Sequence, residues 1–249
     1  MLDKETIRTR VWRLLEEAKV SKFPKPITGR IPNFVGSEEA AKRLFSQPEF
    51  RKAEVIKVNP DSPQAPVRLG VLMHGKVVVM PTPRLKGGFL LLNPKCIPKR
   101  HLRRASTIRG AFKYGESCPL EDLPKVDLLV VGSVAVSLDG VRVGKGGGYS
   151  ELEYAILREL ELIDEATPIY TTVHDLQIVN DAPREEHDLT VDVIITPTRV
   201  LRLNRKYRQP KGIIWSKLKP EDIERMPILS KLKNLSKEIS KELKVKIEV

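Results

Sequence analysis

At 249 residues the chain is long enough to bury a full core, and its 41% apolar and 31% charged residues describe a water-facing globular protein. No apolar run approaches the ~20 residues that cross a bilayer, and the N-terminus lacks the apolar core of a secretory signal, so a cytoplasmic protein with no membrane partner is expected. The net charge is +12, and residues 201–249 hold 14 Lys and Arg against 6 Asp and Glu, or +8 of that total. Such a footprint suits a polyanion such as RNA, while a solvated charged helix is the plainer reading. Cys96 and Cys118 lie far apart, outside any CxxC spacing, which argues against a thiolate metal site or a disulfide.

In chain order, Asp3 is a candidate N-cap for a helix whose Ile7, Val11, Leu14, Leu15 and Ala18 share one face. The Pro-rich stretch 23–32 reads as irregular. A short helix is expected over 37–45. A strand over 54–58, a helix over 66–73 and a strand over 76–80 then make one βαβ unit. Such units imply a parallel sheet with ligands at the carboxyl ends of its strands. Residue Asp61 follows the first of these strands, and Pro81 to Arg84 follow the second. An apolar strand begins at Phe89. The stretch 98–114 is basic, with Phe112 and Tyr114 among its cations, and a solvated helix face is favoured over an anion-binding surface.

The segment 127–151 carries the chemistry. Two apolar runs lead into Gly144-Lys145-Gly146-Gly147-Gly148-Tyr149, and a periodic helix with Leu152, Ala155, Ile156 and Leu160 follows. Four glycines in five positions remove the Cβ atoms that would keep a ligand from the backbone, and they permit positive φ. The following helix adds its free amides and dipole. Arg142 and Lys145 bring positive charge to the rim, so an anion, above all a polyphosphate, suits the loop. It is not a Walker A motif, because Gly146 follows Lys145, nor a dinucleotide fingerprint, because Tyr149 stands at the third glycine. Further on, a strand over 168–173 ends at His174-Asp175, where His174 is either a structural partner or a wall of the site. An acid-rich loop, Glu185-Glu186-His187-Asp188, leads into a strand at Val193. After Arg199 the composition shifts. A linker over 207–212, a helical turn at Pro220 and an amphipathic helix over 229–243 are expected, with Leu232, Leu235, Ile239 and Leu243 aligned. These marks divide the chain into an α/β domain over 1–204 and a basic extension over 205–249.

The pattern Gly140-x-Arg142-x-Gly144-x-Gly146-x-Gly148-Tyr149 after an Asp-led strand, with Glu186-His187-Asp188-Leu-Thr-Val-Asp192 downstream, resembles the 5-formyltetrahydrofolate cyclo-ligase family. Val58-Asn-Pro60-Asp61-Ser-Pro63, Val79-Met-Pro81-Thr-Pro83-Arg84-Leu85 and Val173-His174-Asp175-x-Gln177 are similar to its methenyltetrahydrofolate synthetase domain-containing branch. The resemblance implies a mostly parallel three-layer α/β sheet flanked by helices, of the NagB/RpiA-like kind. It implies ATP- and Mg²⁺-dependent conversion of 5-formyltetrahydrofolate to 5,10-methenyltetrahydrofolate. A non-catalytic or differently specific nucleotide- or RNA-binding member is the alternative.

By the same resemblance, Lys4 or Arg8 reaches nucleotide phosphates, and Gly144, Gly146, Gly147, Gly148 and Tyr149 cradle them. Arg142 and Lys145 offset developing charge in the reaction. Asp188 and Glu151 hold the metal, Glu151 standing where the family has an aspartate. Where the family has a glutamate for the folate after the first strand, this chain offers Asn59, Asp61 and Gln64, with Asp61 the expected folate contact; His174, from its strand-end position, is the second expected substrate contact.

Overall fold

The computed structural model describes residues 2–233. Helix α1 (Lys4–Glu17) begins at Asp3, whose side chain accepts from the Thr6 N–H. It buries Ile7, Val11, Trp12 and Leu15, whereas Leu14 stays 37% exposed. The buried stripe therefore turns towards Trp12, whose indole N–H donates to the Arg30 carbonyl at 3.0 Å. Helices α2 (Ser37–Phe45) and α3 (Pro48–Lys52) precede β1 (Val55–Val58). The expected βαβ unit follows as α4 (Ala65–Met73) and β2 (Val77–Pro81). Then come β3 (Phe89–Leu92), the short helices α5 (Leu102–Ala105) and α6 (Ile108–Tyr114), β4 (Glu116–Cys118) and β5 (Leu128–Val131). Strands β6 (Ala135–Ser137) and β7 (Arg142–Val143) lead into α7 (Tyr149–Glu159). The chain continues through β8 (Ile169–Thr172), β9 (Ile178–Val179), β10 (Val193–Ile195) and β11 (Val200–Arg202) to α8 (Pro220–Arg225).

Eight strands form the main sheet in the order β11-β10-β8-β5-β1-β2-β3-β4, and β7-β6-β9 form a small second one. The five central strands run parallel, and antiparallel strands flank them on both edges. The central strands read as continuous apolar runs because both faces are covered. Ile56, Val58, Leu128, Val130, Val78 and Met80 pack on the face of α2 and α4. Leu129, Val131, Val79 and Ile194 pack on the opposite face, against α7. A third cluster joins α1 to the small sheet through Ile7, Val11, Val134 and Val143.

Residues after 204 pack against the α7 face. Ile213, Met226, Ile228, Leu229 and Leu232 belong to its core. Gln209 pairs with the Thr190 backbone in both directions, at 3.1 and 2.8 Å. Several cations of this segment are matched by acids of the α/β domain: Arg205 with Asp192 at 2.8 Å, Lys217 with Glu186 at 3.7 Å and Lys231 with Glu121 at 2.7 Å. Residues 227–233 are helical, while the Leu235, Ile239 and Leu243 positions lie outside the described residues. Both cysteines are free thiols, and among the described residues no helix is long and apolar enough to cross a membrane.

Candidate active site

The carboxyl ends of β1 and β2, the N-terminal turn of α1 and the loop between β7 and α7 enclose a cavity of about 510 Å³. The glycine-rich loop turns because Gly146 and Gly148 take φ of 99° and 66°, a left-handed backbone that a side chain resists. Gly148 is also the N-cap residue of α7, so the first free amides of that helix follow it directly. Gly144 is required for another reason: a Cβ there would lie 2.7 Å from Arg142 Nη1.

Arg142 is only 2% exposed. Its Nη2 pairs with Glu151 Oε1 at 2.9 Å. Its Nε and Nη1 are buried, and among the described residues they have no hydrogen-bond partner. Buried charged donors without acceptors are costly and call for an explanation. Three more cations that line the same cavity are paired with acids. Lys4 Nζ donates to both oxygens of Asp188, at 2.7 and 2.6 Å. Arg8 donates to the Gly144 carbonyl at 2.7 Å and pairs with Glu5. Lys145 reaches across to Asp61 Oδ1 at 2.8 Å, linking the glycine-rich loop to the end of β1.

Twelve of the thirteen site residues expected from the sequence thus line one cavity. His174 is the exception. Its Nδ1 accepts from the Leu176 N–H, its own N–H donates to Gln177 Oε1, and its ring packs edge-on against Phe34. Burial pushes its pKa below the usual imidazole value. Asp175 accepts from the Thr196 and Thr198 hydroxyls. The Val173-to-Gln177 block is therefore a capped turn, tied by the Gln177 amide to the Ser133 and Val134 carbonyls. These bonds tie the end of β8 to the loop after β5 through Gln177 and to the turn after β10 through Asp175.

The structure adds a pair that sequence reasoning missed. Lys57, in the middle of β1, is fully buried and meets Glu153 Oε2 at 2.5 Å. Asn59 donates to the same oxygen at 3.0 Å and to the Ser150 hydroxyl at 3.1 Å. Glu153 lines the cavity floor, and among the described residues nothing donates to its Oε1. Burial raises the Glu153 pKa, against the pull of Lys57. Buried Arg68 anchors the loop carrying Asp61 through the Asn59 and Asp61 carbonyls; burial lowers its pKa to about 10.

The donors suit a hard divalent cation in kind. Glu151 and Asp188 are carboxylates lining one cavity, and magnesium is commonly held by one or two carboxylates together with phosphates and water. Among the described residues, no cluster of three or more His, Cys, Asp or Glu could hold a metal by protein groups alone. The remaining ligands would have to come from phosphate and water, with Lys4 and Arg142 released to the same phosphates.

Residues 1–197 match the model of the 5-formyltetrahydrofolate cyclo-ligase family. The chain is 42% identical over 246 residues to a methenyltetrahydrofolate synthase domain-containing protein of Danio rerio, covering 97% of this chain and 64% of that protein. It is 40% identical over 247 residues to the Homo sapiens protein of that name, covering 97% and 64%. The chain thus spans about two thirds of the length of these relatives. The 5-formyltetrahydrofolate cyclo-ligase of Escherichia coli K12 is 24% identical over 169 residues, covering 66% of this chain and 88% of that enzyme. Among solved structures, the 5,10-methenyltetrahydrofolate synthetase of Aquifex aeolicus shares the fold, with a TM-score of 0.52, 23% identity and coverage of 81% and 93%. By the family match and these relatives, the chain belongs to the 5-formyltetrahydrofolate cyclo-ligase family.

Proposed function

We propose that this chain uses ATP and Mg²⁺ to convert 5-formyltetrahydrofolate to 5,10-methenyltetrahydrofolate. The observation that carries the reading is Arg142: two buried nitrogens without acceptors, beside a side-chain-free backbone cup. An oxyanion delivered to the cup satisfies both and turns an energetic cost into binding. Lys4, Arg8 and Lys145 exchange their acid partners for phosphate oxygens as the nucleotide enters. Glu151 and Asp188, released in that exchange, would hold the magnesium, which supplies charge neutralisation on the phosphates.

The folate lies over the ends of β1 and β2, near Asp61, Asn59 and Glu153. Its formyl oxygen attacks the γ-phosphorus and ADP departs. The neighbouring folate nitrogen then attacks the formyl carbon, closing the five-membered ring and giving up its proton, and inorganic phosphate leaves. The protein's share is positioning and preorganised charge, with Arg142 against the transferring phosphoryl group. The test is an absorbance assay with ATP, Mg²⁺ and 5-formyltetrahydrofolate. The methenyl product absorbs in the near ultraviolet, and a flat trace from well-folded protein would refute the reading.

One observation favours a second reading, nucleotide binding without turnover. Lys4 closes both oxygens of Asp188, so metal entry has an ammonium to displace. Calorimetric heat on adding ATP, together with a flat absorbance trace, would mark that case.

A further inference from the structure

A second cavity, of about 250 Å³, lies behind the glycine-rich loop, between α7 and the segment after 204. Its walls are mostly apolar, with Leu152 and Ala155 from α7 and Ile213, Ile214, Leu218 and Met226 from the extension, while Lys217, Glu151 and His187 add polar groups at its margin. All four extension residues lie beyond the part of the chain that matches the family model. The wall is fixed, not draped. Ile213 N–H donates to Glu159 Oε2 at 3.2 Å. A Cβ on Gly212 would sit 2.4 Å from the same oxygen, so the extension lies directly on α7.

Five residues line both cavities: Gly147, Gly148, Tyr149, Glu151 and His187. The second cavity therefore adjoins the glycine-rich cup, with these residues between the two. The residues at the junction suit what lies between a phosphate chain and a base. Tyr149 supplies an aromatic ring, packed against Gly147. His187 has a buried Nδ1 without a hydrogen-bond partner among the described residues, 3.7 Å from Glu185 Oε2. The His187 ring lines both cavities and can offer an imidazole edge to a sugar hydroxyl.

We propose that this cavity is the base pocket of the nucleotide, built by the extension, with Tyr149 and His187 at the sugar. A flat, weakly polar heteroaromatic ring fits an apolar slot joined to an anion cup, whereas a free phosphate or an acidic peptide gains nothing from it. The proposal rests on the nucleotide reading above. It assigns the extension a binding role in place of one as a free basic arm.

The test compares ATP with inorganic tripolyphosphate, which has the phosphates and no base, by calorimetry on the whole 249-residue chain. Two variants address the pocket: Ala155→Leu fills it, and Ile214→Asn, at a half-buried position, makes it polar without threatening the fold. Each is expected to weaken ATP about tenfold, the scale of one lost apolar contact surface, and to leave tripolyphosphate within about twofold. ATP affinity unchanged in both variants would overturn the base pocket and leave the phosphate cup standing. So would equal binding of ATP and tripolyphosphate by the unaltered chain. Variants that weaken 5-formyltetrahydrofolate but not ATP would give the pocket to the pterin and also overturn the proposal. Failure of the unaltered chain to bind either phosphate ligand would remove the nucleotide reading, and the base pocket with it.

Discussion

At the scale of single residues, the proposed function turns on an exchange of partners with Arg142 as its pivot. Truncating Arg142 to Ala should reduce turnover by about 10²–10³, the usual loss for one preorganised donor. Unchanged turnover would remove it from the chemistry. Gly144→Ala should approach the same loss by a different route, because the new Cβ falls 2.7 Å from Arg142 Nη1 and must push the guanidinium aside. Gly148→Ala adds a different cost. Its Cβ would meet no protein atom within 4 Å, so within the chain only the left-handed backbone is strained, costing about 1–2 kcal/mol of stability. A denaturant melt reads that cost, apart from any loss of nucleotide binding that the new Cβ causes at the cup. Arg142 and the glycines were legible because loop chemistry is local: the residues that make the cup are consecutive. Lys57 and Glu153 were not, because they lie 96 positions apart. A lysine inside a strand reads as a solvent-facing residue until the helix that covers it is known. Replacing Glu153 with Gln strands the Lys57 charge in the core and should cost about 3–5 kcal/mol, measured by urea unfolding, while the Lys57→Met, Glu153→Gln double variant should recover much of it.

At the scale of elements, the antiparallel strand β11 closes one edge of the sheet and is clamped to α3. Arg202 bonds both oxygens of Glu49, at 2.7 and 2.9 Å, and Glu49 also accepts from the Tyr170 hydroxyl at 2.6 Å. The Arg202 bond, with help from Tyr170, lowers the Glu49 pKa from 4.5 to about 2. A lowered folded-state pKa contributes stability that is fully present above the unfolded value. That contribution is lost as pH falls through the folded one. Arg202→Met should therefore destabilise the chain most above about pH 4.5. Its difference from the unaltered chain should shrink as pH drops towards 2. Thermal melts across that range read the difference, and a gap independent of pH would show that the clamp acts through packing alone. The clamp joins residues over 150 positions apart in sequence, which is why β11 is unreadable from its own residues. The βαβ unit over 55–81 was readable because its period and its stops are all local. His174 shows the opposite failure. A histidine beside an aspartate at a strand end has the composition of a site, and only the Gln177 bond back to its backbone reveals a capped turn.

At the scale of the whole molecule, the question is whether the segment after 204 is a separate basic arm or part of the fold. Its composition suited a polyanion-binding extension or a solvated charged helix, since charge counts register how many cations a segment carries and not how many acids face it. In the folded chain Arg205, Lys217 and Lys231 each meet an acid from the α/β domain. Apolar side chains between them enter the α7 core beside Leu85, Phe89 and Tyr154. Leu229 is fully buried there, and Leu232 is 3% exposed. The face of β3 and the turn before it, where Gly88 adjoins Ile228, would otherwise present that apolar surface to water. Leu229→Ala decides between the two pictures. A leucine on a detached arm would change stability by no more than about 0.5 kcal/mol. A leucine in the common core leaves a cavity and should cost about 2–5 kcal/mol, with one cooperative urea transition shared by far-ultraviolet and tryptophan signals. Trp12 reports on the α1 side, and Trp215 on the extension itself. If the Trp215 signal melted first and left the far-ultraviolet signal unmoved, the extension would be an independent unit, and the wall it lends to the second cavity would be only loosely held.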